Sequence, residues 1–380
     1  MSRITYAQKP AQKRFVMAAY IDTEDQYNIS AAKYAATIHE VRKAANDKKI
    51  SRLPNTNELF QSPFGNPGLG IALEYERMGN VPVSANLQTQ ADNYQVEFEH
   101  LGITLGTVIH NVNLRDQTTP DFIQFIRQTL LERKVIFFRN QHLDEDEQVE
   151  FGKRFGSLDA FPFGKPGLNP FILEISHGKN SPGTENSWHT DVTWMEKPSL
   201  GSIAQCTKVP PAGGDTLFSD SHACYLGLPD KLKQRISTLW GVNDYRIFIA
   251  NKSIFTDELI ESIKSEIPFG VNHPLVRTHP ETKKNALYIH GGFLRHDSLY
   301  DDRTNTPLEE SESRAIVAAL STQHARPEYT CRFQWKEGSI AFWDNRAVQH
   351  YAASDYYPHR RVLRRVTVSG DRPFHDFTAT

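Results

Sequence analysis

The rhythm of apolar and polar positions changes near Tyr94. Before that point Ala, Asn, Gln and Lys dominate. Ala32, Tyr34, Ala36, Ile38 and Val41 recur among short polar residues, a spacing that predicts a helix over Ile29–Ala45. The Pro-, Gly- and Asn-rich stretch from Pro54 to Gly70 reads as loop. Residues 1–93 are therefore expected to form a helical and irregular extension. It would be an arm or flap that packs on the main domain or on a second subunit and carries no chemistry of its own.

From Tyr94 onward short strands are expected at Val96–Ile103 and Thr107–Leu114, punctuated by Gly102 and Gly106. Thr119 and Pro120 suit the N-cap and first position of a helix whose apolar face is Phe122, Ile123, Phe125, Ile126, Leu130 and Leu131. Lys134–Arg139 reads as a buried strand, and Leu143–Phe155 as an amphipathic helix ended by Gly156. Strands follow at Phe171–Ile175, Ser202–Val209, Asn285–His290, Tyr329–Trp335, Ser339–Trp343 and Arg361–Val368, with helical insertions at Asp230–Leu239 and Leu308–Thr322. The class this predicts for residues 94–380 is mainly β with flanking helices, a two-sheet barrel of jelly-roll type.

Composition narrows the function. Lys plus Arg number 43 against 45 Asp plus Glu, which excludes a protein whose main work is coating nucleic acid or anionic membrane. Cys206, Cys224 and Cys331 show neither a CxxC pair nor metal-finger spacing, so a reducing compartment is expected. The first twenty residues lack a continuous apolar run, and no stretch approaches the ~20 apolar residues of a membrane helix. A cytoplasmic protein without membrane or nucleic-acid partners is the expectation.

Two clusters carry candidate chemistry. In Trp188-His189-Thr190-Asp191-Val192-Thr193-Trp194, a strand would put His189 and Asp191 on one face. With one further histidine they would make a two-His, one-carboxylate metal site with open coordination positions. Far downstream, Trp343-Asp344-Asn345-Arg346 leads to His350, followed by the arginine-rich strand Arg360–Thr367. Alternation puts Arg361 and Arg365 on the same face, about 13 Å apart at ~3.3 Å per residue. Inward arginines need anionic partners, and that separation suggests two anion sites flanking a metal. Arg346 is expected to hold the turn before His350 by pairing with a carboxylate. Gly213-Gly214-Asp215-Thr216 lacks the Lys and helix of a phosphate loop. His177, His222, His296 and His359 read as surface or core histidines, and His273 and His279 as structural. Trp188, Trp194 and Trp343 read as core rather than as a substrate platform.

From about Val96 to the C-terminus the chain resembles the taurine/alkylsulfonate/2,4-dichlorophenoxyacetate dioxygenase family, which depends on Fe(II) and 2-oxoglutarate. The matching stretches are Trp188–Trp194, Gly213–Thr216, His273–Pro280, Trp343–Arg346, Gln349–Ala352 and Arg360–Pro373, in the family's order and spacing. The resemblance implies a double-stranded β-helix with Fe(II) held by His189, Asp191 and His350. It implies that Arg361 pairs with 2-oxoglutarate, helped by Thr216, and that Arg365 faces the anionic end of the prime substrate with the Val192 backbone nearby. It also implies that 2-oxoglutarate and O2 are consumed, that succinate and CO2 form, and that the substrate is hydroxylated. Asp191 is intact, whereas halogenating relatives replace that carboxylate. Homo-oligomers are common in the family.

Two departures bear on the substrate. Where taurine enzymes place a His for the substrate amine, this chain has Phe161-Pro162-Phe163, and where they place an Asn it has Glu185. The expected substrate is therefore a small organic anion other than taurine: a sulfonate, a sulfate ester, or a carboxylic or amino acid with an apolar or aromatic body. Phe161, Phe163 and Glu185 are the candidate pocket residues besides Arg365 and Val192. The alternatives are a non-catalytic jelly-roll binding module, which would not need the full set, and a cupin-type metal hydrolase or isomerase, which would not need Arg361 at its distance from His350.

Overall fold

The computed structural model describes residues 65–163, 169–181, 183, 186–250 and 255–378. The expected helix at Ile29–Ala45 and the candidate pocket residue Glu185 lie outside the described residues. The chain divides into two compact units, one of Met1–Asn66 with Pro229–Leu232, the other of Pro67–Leu228 and Lys233–Thr380. The second unit carries the β architecture. The boundary expected after Asn93 falls inside it. Helices α1 (Pro67–Arg77) and α2 (Ala85–Asn93) both lie in this unit, and α2 with the preceding Val83 buries Leu87 and Ala91 in one of its cores.

Two sheets face each other. The larger has the order β1 (Glu97–His100), β2 (Thr107–His110), β3 (Val135–Phe138), β15 (Ile340–Asp344), β6 (Gly201–Lys208), β17 (Arg361–Val368) and β4 (Leu158–Asp159), with β5 (Leu173–His177) also paired to β17. The smaller has the order β14 (Thr330–Phe333), β7 (Thr216–Asp220), β16 (Val348–Ala352) and is antiparallel throughout. Val135, Phe137, Ala204, Cys206, Phe218, Phe333, Trp343, Val348 and Leu363 form the core between them. Phe137 stacks on Phe333 at 4.0 Å and meets Phe218 edge-on at 5.5 Å, so a single side chain ties the two sheets together. The opposite face of the larger sheet is covered by α2, α3 (Pro120–Arg133) and α4 (Glu145–Lys153) through Leu87, Phe122, Phe125, Ile126, Phe151 and Phe155. This is the jelly roll that the strand pattern predicts, with helices outside.

Local chemistry sets the helix ends. Thr119 accepts from Phe122 N and Pro120 opens α3, as its sequence predicts. Asp144 and Glu147 make a reciprocal capping box on α4. The remaining strands lie beside the barrel. β8 (Leu239–Asn243), β9 (Val271–Pro274), β12 (Tyr300–Asp301) and β13 (Thr306–Pro307) form one small sheet, and β10 (Val276–Thr278) pairs with β11 (Asn285–Leu287). The sequence pattern does not anticipate β7. Its five residues come directly after the glycine turn and alternate poorly, since four of them are buried.

The turn between β15 and β16 is fixed by buried charge. Asp344 accepts from Arg346 Nε at 2.8 Å and Nη2 at 2.7 Å, and His279 Nε2 stands 3.0 Å away. Arg346 also reaches Glu281 at 2.9 Å. The carboxylate expected to partner Arg346 is thus Asp344, which burial would make more basic but which Arg346 and His279 hold well below the ordinary carboxylate range. His273 bonds Met195 O at 2.9 Å, a structural role like that of His279.

Several histidines are buried neutral. Burial pulls His222 and His273 down to about 4, and His324 to about 3. In the unfolded chain they titrate near 6.5 and take up protons that the native state refuses, so stability is lost as pH falls below that value. Urea unfolding should therefore show a decline of several kcal/mol between pH 7 and pH 5, at roughly 1.4 kcal/mol per group per pH unit. A flat profile over that range would show that these side chains are not sequestered as described.

Candidate metal centre and co-substrate pocket

His350 lies in β16, while His189 belongs to an irregular segment that runs beside β16. The two residues form an isolated antiparallel bridge: His189 N donates to His350 O at 3.0 Å, and His350 N donates to His189 O at 2.8 Å. Thr190 Oγ1 adds a bond to Val348 O at 3.2 Å. The strand expected through His189 and Asp191 is not formed. The chain turns at Asp191, Val192 takes a left-handed φ of 49°, and Met195 N closes onto Val192 O. A β-branched residue rarely adopts that conformation, and such strain is characteristic of functional sites. The turn, rather than strand alternation, brings Asp191 beside His189.

One ligand atom from each of His189, Asp191 and His350 falls within 4.8 Å of the others. Asp191 Oδ1 is 3.9 Å from both His189 Nε2 and His350 Nε2. His189 Nδ1 donates to Ser187 O at 2.8 Å, which leaves Nε2 as a lone pair toward the cluster. His350 is packed between Trp343, at 4.9 Å, and Phe218, at 6.0 Å. Burial, His189 and Arg365 keep His350 neutral, its pKa well below the ordinary value. Burial favours protonation of Asp191, yet the Arg365 guanidinium and the Ser202 hydroxyl hold its carboxyl well below the usual range. Two imidazoles and one ionised carboxylate are the donor set that suits ferrous iron with positions left open.

Ser202, in β6, donates to Asp191 Oδ2 at 3.0 Å. Arg365 Nη1 donates to Asp191 Oδ1 at 2.9 Å, while its Nε is buried without a partner. Arg365 thus engages the carboxylate of the cluster as well as bordering Phe161, whose ring lies 5.9 Å from its guanidinium carbon. Phe161 and Phe163 join Trp194, Tyr245, Phe248 and Phe293 in an aromatic cluster that includes buried Val192. Trp194 and Trp343 are core residues, whereas Trp188 is partly buried against Tyr351.

Arg361, four residues away on the same strand, is 3% exposed. Its Nη2 donates to Thr216 Oγ1 at 3.2 Å, and Trp335 Nε1 donates to the same oxygen at 3.0 Å. Arg361 Nε is buried without a partner, and among the described residues no carboxylate pairs with this guanidinium. The glycine turn explains the approach. Gly213 and Gly214 have φ of 76° and 72°, and a Cβ on Gly214 would sit 3.0 Å from Arg361 Cδ. A buried guanidinium without a counter-charge, beside a hydroxyl, fits a small carboxylate ligand.

The model of the taurine catabolism dioxygenase TauD, TfdA family matches residues 97–367. The chain belongs to that family. It is 34% identical over 289 residues to an alkylsulfatase of Acinetobacter baylyi, covering 74% of this chain and 87% of the relative. It is 32% identical over 297 residues to an alpha-ketoglutarate-dependent sulfate ester dioxygenase of Pseudomonas putida, covering 76% and 95%. A crystal structure of a taurine dioxygenase from Burkholderia xenovorans superposes with a TM-score of 0.61 at 31% identity, over 74% of this chain and 93% of that one. This family member is an Fe(II)- and 2-oxoglutarate-dependent dioxygenase that uses O2, and its His-Asp-His cluster fits the iron.

Sequence reasoning misses three contributors. Ser202 sits in an ordinary strand pattern, and Trp335 reads only as the end of a strand. His290 also reads as a strand end, although β11 stops at Leu287. Its ring is 5.5 Å from that of His189, and burial and His189 pull its pKa well below the ordinary value. The His290-Gly291-Gly292 run is the available signal, because a Cβ on Gly292 would press on the ring at 3.2 Å. Removing the Ser202 hydroxyl frees Asp191 from one of its two anchors. Ser202→Ala should weaken Mn(II) affinity about tenfold, as read by electron paramagnetic resonance titration, and leave the circular dichroism spectrum unchanged. Unaltered affinity would remove Ser202 from the centre.

Proposed function

We propose that this dioxygenase oxidises a small organic anion with an apolar body, a sulfate ester or sulfonate first among the classes. The observation that carries this reading is the pair of inward arginines on β17, one beside the metal cluster and one buried with Thr216. His189, Asp191 and His350 would hold the iron, and Arg361 with Thr216 would hold the distal carboxylate of 2-oxoglutarate. Trp335 fixes Thr216 Oγ1 by its own N–H, so the hydroxyl hydrogen of Thr216 remains free to donate to that carboxylate.

Bound iron with 2-oxoglutarate and O2 supplies the oxidising power for a C–H bond, with succinate and CO2 as co-products. The chain's own residues set where that power is applied. Arg365 is anchored through Nη1 to Asp191 and keeps an unpartnered Nε, so it is positioned to bind an anion beside the metal. Phe161, Phe163 and Phe248 offer an apolar surface that excludes water from the remainder of the substrate. Hydroxylation of the carbon that bears a sulfate ester has a defined consequence. The hydroxyl proton leaves, a C=O bond forms, the carbon–sulfate C–O bond breaks, and an aldehyde and sulfate are released. With a sulfonate, the same step breaks the C–S bond and releases sulfite. The names of the Acinetobacter and Pseudomonas relatives support the sulfate-ester class. Three buried, unpaired cysteines support a cytoplasmic setting.

Anaerobic addition of Fe(II) and 2-oxoglutarate should produce a weak visible charge-transfer band. Admission of O2 with hexyl sulfate should release succinate, hexanal and sulfate in equal amounts. Succinate release with taurine alone, or the absence of the band, contradicts the reading. Arg361→Leu should raise the 2-oxoglutarate concentration needed for half the band about 100-fold, since a buried charge pair lost on one side costs about 3 kcal/mol. A change under threefold would remove Arg361 from the co-substrate site.

A further inference from the structure

His290 is 4% exposed, and its two ring nitrogens differ sharply in their surroundings. Nδ1 accepts two backbone hydrogen bonds, from Gly292 N at 2.7 Å and from Phe293 N at 2.8 Å. An atom that accepts two N–H groups carries no hydrogen. The neutral ring must therefore hold its hydrogen on Nε2, and protonating Nδ1 would force three hydrogens together. Nε2 is buried and has no hydrogen-bond partner. The fold has fixed the tautomer of this ring and left its donor unused, an arrangement that costs stability in the free protein.

The neighbours of His290 close a circuit around the metal cluster. His290 lies 5.5 Å from His189 and stacks on Phe293 at 4.0 Å, ring centre to ring centre. Phe293 meets Phe248 at 5.5 Å, and Phe248 meets Phe161 at 5.6 Å. The Arg365 guanidinium carbon is 5.9 Å from the Phe161 ring, and Arg365 returns to Asp191 at 2.9 Å. Within this circuit the groups that are neither aromatic hydrocarbon nor metal ligand are Arg365 and His290. Each holds a buried N–H without a hydrogen-bond partner, as does Trp194 Nε1 in the adjoining aromatic cluster.

We propose that His290 is a second anion-recognition residue for the prime substrate, its Nε2–H donating to a sulfate or sulfonate oxygen while Arg365 supplies the charge. This rests on the dioxygenase reading and deepens it. A tetrahedral oxyanion offers several acceptor oxygens, so a cation on one side and a neutral donor on the other can both be satisfied. A planar carboxylate offers two oxygens and satisfies the pair less well. His290 is thus a specificity residue that favours sulfur oxyanions over carboxylates.

Two substitutions separate this role from a structural one. His290→Asn puts a side-chain oxygen near the place of Nδ1, keeping an acceptor for Gly292 and Phe293, but withdraws the distal donor. His290→Gln reaches to the place of Nε2 with an amide N–H but abandons the acceptor. The probe is hexyl sulfate, titrated calorimetrically into the Mn(II) protein saturated with 2-oxoglutarate, with hexanoate as the carboxylate control. His290→Asn should weaken hexyl sulfate binding about 10- to 100-fold and hexanoate binding less than threefold, with the thermal midpoint unchanged or raised. His290→Gln should lower the midpoint yet bind hexyl sulfate better than His290→Asn. Equal hexyl sulfate affinity in wild type and His290→Asn overturns the proposal. So does loss of the anaerobic Fe(II)–2-oxoglutarate band in His290→Asn, which would make the residue a support of the metal centre. A wild-type protein without that band would instead refute the dioxygenase reading itself.

Discussion

His189 and His350 exchange both of their backbone hydrogen bonds, and the site depends on that one bridge. Its two partners come from segments far apart in the chain, one irregular and one a strand of the smaller sheet. The bridge fixes their Cα atoms, and the turn at Val192 then brings Asp191 to the same place. The consequence is electrostatic. A buried carboxylate stays ionised only when surrounded by enough compensating dipoles and charges, and here the Arg365 guanidinium and the Ser202 hydroxyl donate to its two oxygens.

A single strand organises the opposite side. β17 pairs with β6 along most of its length and supplies both arginines from one face. β6 supplies Ser202, so the anchor of Asp191 Oδ2 and the anchor of Oδ1 come from neighbouring strands. The smaller sheet contributes Thr216 from β7 and His350 from β16, which are adjacent strands. Arg361 and Thr216 therefore come from opposite sheets, and His350 of the smaller sheet lies near Ser202 and Arg365 of the larger through Asp191. The core that holds the sheets together, with Phe137 at its centre, is as important to the site as the polar residues are.

The fold is legible in the sequence where periodicity and capping agree. Thr119 with Pro120 and the alternation of Arg361–Val368 lead to elements close to those observed. The sequence is less informative where one strand is buried on both faces, as in β7, or where a strand ends early so that a side chain can turn inward, as at His290. The cluster His189, Asp191 and His350 is readable from spacing and family likeness, but strand alternation is the wrong reason for it. His189 and Asp191 converge through a strained turn, which alternation rules cannot anticipate because they assume an extended chain. Arg365 carries a similar lesson. Its place on the inward face is visible in the strand pattern, yet its bond to Asp191 depends on a segment whose path only the folded structure gives.

Sequence patterns also do not reveal tautomers. Which nitrogen of His189 or His290 holds the hydrogen is decided by Ser187 O in one case and by two backbone N–H groups in the other. Both decisions are second-order consequences of loop geometry, and both determine what the ring can bind. Anomalous diffraction at the iron edge, from crystals grown without oxygen in Fe(II) and 2-oxoglutarate, locates the metal and its co-substrate directly. One iron peak is expected, bonded to His189 Nε2, Asp191 and His350 Nε2, with density for the co-substrate running from it to Arg361. Iron bound elsewhere, or co-substrate density that ends on another cation, would contradict that placement.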